Sequence, residues 1–281
     1  MIVVTGATGN IGRTLVPLLA EMSEDVVAVS RRSQTEGLPA GVRHAQADVG
    51  NSASMRPVLD GADAFFLLLS GELNGHGESP NALLDAALDA GVKRIVLLSS
   101  QINSTRPEAL SHTRLRDFEA AVRASGADFT ILRPGGFASN ALAWAEPVRT
   151  KRTIFAPFGD VALPVIDPAD IAAVAAAALH EEGHAGRTYE LTGPEAISPR
   201  RQAAAISRTL GEEVAFVELS REEAHAHMAQ FMPEEVIDGT LDVLGVPLPA
   251  EQTISPDVEK VLRRPARRFD EWVARNLPAF Q

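Results

Sequence analysis

The chain has 281 residues, 45% hydrophobic and 22% charged, a balance that excludes disorder, collagen-like repetition and a coiled coil. It is long enough to bury one large core. A net charge of −11 argues against a nucleic-acid surface, and the absence of cysteine removes disulfides, thiolate nucleophiles and thiolate-held metals.

In chain order, short apolar runs at 2–4, 26–29, 64–69, 95–98 and 129–132 alternate with amphipathic stretches near 11–21, 52–59, 79–90 and 108–125. That rhythm predicts βαβ units around a parallel sheet. Gly91 and Gly126 each close a helical stretch ahead of a strand. The run Phe65-Phe66-Leu67-Leu68-Leu69 reads as a strand buried on both faces. Beyond Pro134 the rhythm changes. A loop-rich stretch carrying Trp144, Pro147 and Pro157 leads to a helix at 167–179 and a strand at 188–191. Helices follow near 199–210, 221–229, 233–244 and 267–277, with a strand-like run at 214–219. The expected fold class is α/β: a Rossmann-type doubly wound parallel sheet over 1–133, with a smaller C-terminal α/β substrate lobe over 134–281 integrated with it. The longest apolar region, 161–179, is broken by Asp167, Pro168 and Asp170, and no basic segment leads an apolar one at the start. A soluble, cytoplasmic protein without membrane contact is therefore expected.

Thr5-Gly6-Ala7-Thr8-Gly9-Asn10-Ile11-Gly12 joins the first strand to the first helix. Glycines let a pyrophosphate approach the backbone, the helix N-terminus offers free N–H donors, and Gly12 permits close helix–strand packing. The loop predicts dinucleotide binding through Thr5, Gly6, Thr8, Gly9, Asn10, Ile11 and Gly12. An NAD-specific site places an acid about 20 residues beyond the loop, at the end of the second strand. Here that strand runs into Ser30-Arg31-Arg32-Ser33. Guanidinium groups suit a 2′-phosphate, so Arg31 and Arg32 predict NADPH (NADP).

The opening resembles the short-chain dehydrogenase/reductase superfamily. The segment Ser125-Gly126 through Thr130-Ile131-Leu132-Arg133-Pro134-Gly135-Gly136-Phe137, the helix start Asp167-Pro168-Ala169-Asp170-Ile171-Ala172 and the closing 264–272 resemble its NmrA-like, atypical branch. That branch includes NADPH-dependent quinone reductases, other reductases and regulators that only bind dinucleotides. The resemblance puts Asp48 and Val49 beside the adenine. Strand ends at the carboxyl edge, where ligands gather in such sheets, add Leu68, Leu69, Ser99, Pro134, Gly135 and Phe137 to the cofactor site.

The superfamily's tyrosine with a lysine four residues on is missing. The single tyrosine, Tyr189, has Gly193 at that spacing. Two readings stand for His112: a proton donor, or part of a polar helix face in which Arg116 and Glu119 pair. Ser100 is the second catalytic candidate. A quinone tolerates a weak acid, because its product is a delocalised oxyanion whose conjugate acid has a phenol-like pKa of about 10. His225 and His227 point to different sides of a helix and offer too few ligands for a metal site. Phe137, Trp144, His227 and Phe231 are the substrate-binding candidates, with 134–144 and 221–232 supplying most of the pocket. The reading is an NADPH-dependent oxidoreductase, monomer or homodimer, reducing a conjugated carbonyl, quinone or aromatic metabolite. Its alternative is a catalytically silent NADP(H)-binding redox sensor acting through a protein partner.

Overall fold

A computed structural model describes residues 1–33, 37–69 and 77–281. Six strands, β1 (Ile2–Thr5), β2 (Val26–Ser30), β3 (Arg43–Gln46), β4 (Ala64–Leu68), β5 (Arg94–Leu98) and β6 (Asp128–Pro134), form a parallel sheet. The next strand, β7 (Thr153–Pro157), stands outside it, and β8 (Arg187–Leu191) completes its far edge. The spatial order is β3-β2-β1-β4-β5-β6-β8. Strand order reverses between β1 and β4, and ligands of such sheets bind outside the carboxyl ends at that reversal.

Alternation along the strands assigns each side chain to a layer. Ile2 and Val4 join Leu15 and Leu19 of α1 (Gly12–Glu21) on one face, while Val3 packs with Phe65 and Leu67 on the other. There α2 (Ser52–Leu59) and α3 (Pro80–Asp89) contribute Met55, Leu59, Leu83 and Leu84. Fully buried Phe65 and Phe66 each stabilise the sheet by roughly 1.5–3 kcal/mol relative to exposure. After β5 the chain makes α4 (Ile102–Thr105) and a 3₁₀ turn, Leu110–His112, before α5 (Thr113–Ala124). The single helix expected at 108–125 is therefore divided, with His112 at the junction.

Residues beyond 134 both complete the sheet and build the lobe. A 3₁₀ helix (Ala138–Trp144) and α6 (Ala145–Lys151) occupy part of the stretch expected as loop. β7 is also there, pairing in parallel with β9 (Ala215–Leu219). β7 has no local signal because its partner lies far along the chain. The alanine-rich α7 (Pro168–His180) packs on α1 and the same face of the sheet. Its N-cap Asp167 accepts from the Ala169 N–H at 2.9 Å, and Pro168 takes the first turn. Asp170 is fully buried and accepts from Arg264 Nη2 at 2.7 Å and from Arg267; Arg275 reaches Asp167. These pairs fasten the C-terminal segment to the core, where a lone buried carboxylate would be costly. Within the lobe, α8 (Pro199–Leu210) packs with Trp272 and Phe280 in one cluster. α9 (Arg221–Met228) and α10 (Glu234–Gly245) form a smaller cluster around Ile237 and Leu241. Among the described residues no helix is long and apolar enough to cross a membrane.

Candidate functional site

Thr5 ends β1 with its hydroxyl buried in the sheet, donating to Phe66 O at 2.9 Å and accepting from Leu68 N at 2.9 Å. It sets the gap between β1 and β4 from which the glycine loop rises. Gly6 turns the chain at φ +64°, and Gly9 N donates back to Gly6 O at 2.9 Å. A Cβ on Gly12 would stand 2.2 Å from Gly6 O and 2.5 Å from Ala7 Cα. One on Gly9 would be 3.1 Å from Gly6 O. The first clash is with backbone that cannot yield; the second fills the space in front of the loop. No side chain caps the N-terminus of α1; Arg13 N and Thr14 N donate to Gly9 O and Ile11 O at 3.1 and 3.0 Å, so an anion would meet the N–H groups of the glycine turn ahead of them. This backbone cradle fits a dinucleotide pyrophosphate. Ile11 is core, Thr8 is exposed at the loop top, and Asn10 Nδ2 donates to Ser139 Oγ at 2.7 Å, tying the cradle to the lobe.

At the end of β2, Ser30 Oγ donates to Arg32 O at 2.6 Å and lies 2.9 Å from His44 Nε2. Because the Ser30 proton is given to the carbonyl, the histidine nitrogen is assigned as the donor. His44 thus stands beside the exposed Arg31 and Arg32 at the carboxyl end of β2. Sequence reasoning missed it, since the polar strand Arg43-His44-Ala45-Gln46 carries no apolar run. Asp48 accepts from Gly50 N at 2.9 Å in a turn leading to α2, and half-buried Val49 packs on the core beside it. Leu68 reaches within 3.0 Å of where a Gly6 Cβ would be, and Leu69 is buried.

Ser99 and Ser100, adjacent in sequence, face opposite ways. Ser99 Oγ donates to Glu119 Oε1 at 2.6 Å and accepts from Asn103 Nδ2 at 2.9 Å. Arg133 grips the same carboxylate with Nε at 2.9 Å and Nη2 at 2.6 Å. Burial acts to raise the Glu119 pKa, but hydrogen bonds from Arg133, Ser99 and Asn103 outweigh it and hold the group below the usual carboxylate range. Glu119 is therefore not an exposed partner of Arg116: it turns inward, because Arg133 on β6 offers a bidentate counter-ion that a helix neighbour does not. Arg116 instead donates to Ala109 O at 2.8 Å and Thr113 Oγ1 at 3.0 Å. Behind this network burial raises the pKa of Glu190.

Ser100 looks into a cavity of about 350 Å³ at the carboxyl ends of β5 and β6. Pro134, Gly135, Gly136 and Asn140 form one wall, with Leu163 and Pro164 beyond them. Ile102, Ser111 and His112 form the facing wall, and Met232, Val236, Val243 and Leu244 of the α10 region cover it. His112 Nδ1 is 2.9 Å from Ser111 Oγ, and burial, followed by the charge of Arg116, pushes its pKa below the ordinary imidazole value. The imidazole is thus neutral at pH 7. Of the substrate candidates, Trp144 packs against the lobe's own core, and half-buried Phe137 packs against the sheet-side core. His227 and Phe231 stack edge to face at 5.7 Å on an exposed surface, with Phe231 63% exposed. None of the four lines the cavity. The pocket expected from sequence, 134–144 and 221–232, gives 233–244 no part.

An NAD(P)H-binding family model matches residues 6–182. A (4-alkanoyl-5-oxo-2,5-dihydrofuran-3-yl)methyl phosphate reductase of Streptomyces griseus is 36% identical over 100% of this chain and 99% of its own. An NAD(P)H azoreductase of Xenophilus azovorans is 33% identical over 100% of this chain and 99% of its own. The crystal structure of an NADPH-dependent quinone oxidoreductase of Escherichia coli, complexed with NADPH, superposes with a TM-score of 0.83. It is 28% identical, and the match covers 99% of this chain and 100% of that one.

Proposed function

The chain belongs to the NAD(P)H-binding family, and from that premise we propose that it is an NADPH-dependent reductase that passes hydride to a conjugated carbonyl, quinone or related aromatic acceptor. The observation carrying this reading is the largely apolar cavity at the carboxyl ends of β5 and β6. It reaches Asn140, next to the Ser139 that bonds the glycine loop. A pure sensor has no need of such a chamber. The similarity to a quinone oxidoreductase and an azoreductase, both named for aromatic or conjugated acceptors, supports the same substrate class.

The glycine loop and the N-terminus of α1 would hold the pyrophosphate, with Arg31, Arg32 and His44 near a 2′-phosphate. The bound cofactor supplies hydride. Pro134, Gly135 and Ile102 give a flat ring an apolar slot and keep water from it. Ser100 and neutral His112 stand where an acceptor oxygen can take a hydrogen bond. A phenol-like product, with a pKa of about 10, needs only such weak donors. Tyr189 takes no part in this scheme: its hydroxyl lies 2.9 Å from His184 Nδ1, and burial raises its pKa.

Steady-state NADPH oxidation with quinones, azo compounds and simple ketones tests the reading. Turnover is expected with the conjugated acceptors and not with the ketones, whose alkoxides need an early acid. Inactivity towards all of them, alongside tight NADPH binding, would transfer the assignment to a dinucleotide sensor.

A further inference from the structure

We propose that the ion pair between Arg106 and Glu251 makes the cavity electrically neutral and so selects uncharged acceptor rings against rings bearing a carboxylate or sulfonate. The inference rests on the reductase reading above and narrows its substrate class.

Arg106 follows α4, and Glu251 lies in α11 (Pro249–Gln252); both side chains line the cavity. Arg106 Nε donates to Glu251 Oε1 at 2.7 Å and Nη2 to Oε2 at 2.9 Å, a bidentate fork. Nη2 also reaches Val246 O at 3.1 Å. Glu251 further accepts from Thr105 Oγ1 at 3.0 Å and from Leu248 N at 2.8 Å. Its side chain is 1% exposed, that of Arg106 22%. Burial alone would favour a protonated carboxyl, but the donors hold the Glu251 pKa below the usual range, so the pair is ionic. The other titratable lining group among the described residues is His112, which is neutral at pH 7. Asp242, close enough to act on Arg106, is itself held by Arg221 Nη2 at 2.8 Å.

The charges on the cavity wall therefore cancel, and the guanidinium is already committed in the geometry an anion would want. An anionic acceptor entering this apolar space would lose its hydration and find no free counter-ion. To capture Arg106 it would have to strip Glu251 of its partner, leaving a buried charge alone. A neutral ring meets neither cost.

The test uses a matched pair, a naphthoquinone and the same ring carrying a sulfonate, with the intact protein. Wild type is expected to favour the neutral ring at least tenfold in kcat/KM, with the difference seated in KM. Glu251→Gln, which releases the guanidinium charge, should shift the ratio towards the sulfonate on the order of tenfold or more, the worth of one charge-assisted contact. Arg106→Gln combined with Glu251→Gln should return it towards the neutral ring. If Glu251→Gln does not fold, Val243→Lys, which adds a cation to the cavity lining, should raise sulfonate use instead. Equal use of both rings by wild type overturns the proposal, as does an unchanged ratio in a folded Glu251→Gln or Val243→Lys. Calorimetric binding of naphthalene and naphthalene sulfonate separates this from the reductase reading. A catalytically silent wild type that still binds only the neutral ring keeps the selectivity, whereas equal affinities sink it.

Discussion

Cofactor cradle and cavity share one edge of the sheet, yet they are assembled differently. In the proposed reading, 5–12 would make an anion site from consecutive residues, through backbone that the glycines leave uncovered. The cavity draws Ser100, His112, Gly135, Pro164, Val243 and Glu251 from distant segments, and its chemistry lies in side chains and their pairings. The first construction tolerates almost no added atom. The second tolerates apolar exchange but depends on which charges are paired.

The largest effects are expected where the cradle is filled. Gly12→Val should cost about 3 kcal/mol or prevent folding, at the upper end of overpacking penalties, because its Cβ meets fixed backbone at 2.2 Å. Gly9→Val meets only the 3.1 Å contact and should fold, yet lose NADPH binding by more than about a hundredfold as its side chain blocks the pyrophosphate. Thermal melts followed by circular dichroism, together with NADPH titration of both variants, check this. Tight binding by folded Gly9→Val would break the backbone-cradle half of the comparison.

The side-chain half is sharpened by Glu119→Ala, which leaves Arg133 beneath the cavity without its bidentate partner. Removing one member of a buried pair typically costs about 3–5 kcal/mol. Denaturant unfolding should show a loss of that order, while Glu119→Gln, which keeps the acceptor for Ser99, should lose less. Equal losses would show that the charge pairing alone, rather than shape or the retained acceptor, holds the Ser99–Ser100 turn.

Arg31→Ala and Arg32→Ala should weaken NADPH on the order of ten- to a hundredfold and leave NADH nearly unaffected, the worth of one charge-assisted contact to phosphate. Titration of both cofactors decides it, and parallel losses for NADH would remove the 2′-phosphate assignment.

The smallest effects are expected at the proton. His112→Ala should lower quinone kcat by no more than about tenfold, well short of the 10²–10⁴ of a positioned general acid, and Tyr189→Phe should leave it unchanged. Because burial depresses the His112 pKa, its protonated form is lost before pH reaches the ordinary imidazole value of about 6.5, and wild-type kcat/KM should be flat above it. Any acid limb should lie under that pH and vanish in His112→Ala. A hundredfold collapse in folded Tyr189→Phe would relocate the acid.

The sheet and cradle were legible because their causes are local. Apolar runs such as 64–69 read as strands buried on both faces, and Gly6, at positive φ, and Gly12, whose Cβ would strike backbone, mark a turn that suits glycine. Two arginines where an acid would stand likewise support the proposed phosphate contact without reference to the rest of the fold. The cavity was only partly legible. His112, Ser100, Pro134 and Gly135 follow from strand ends and helix position, but Trp144 and Phe231 do not line it, because an aromatic side chain's type does not say which core or surface it joins. Glu251, Arg106 and the covering face of α10 carry no motif. Their roles arise when a bidentate pair closes across 145 residues of sequence, and only tertiary structure brings those atoms within 3 Å.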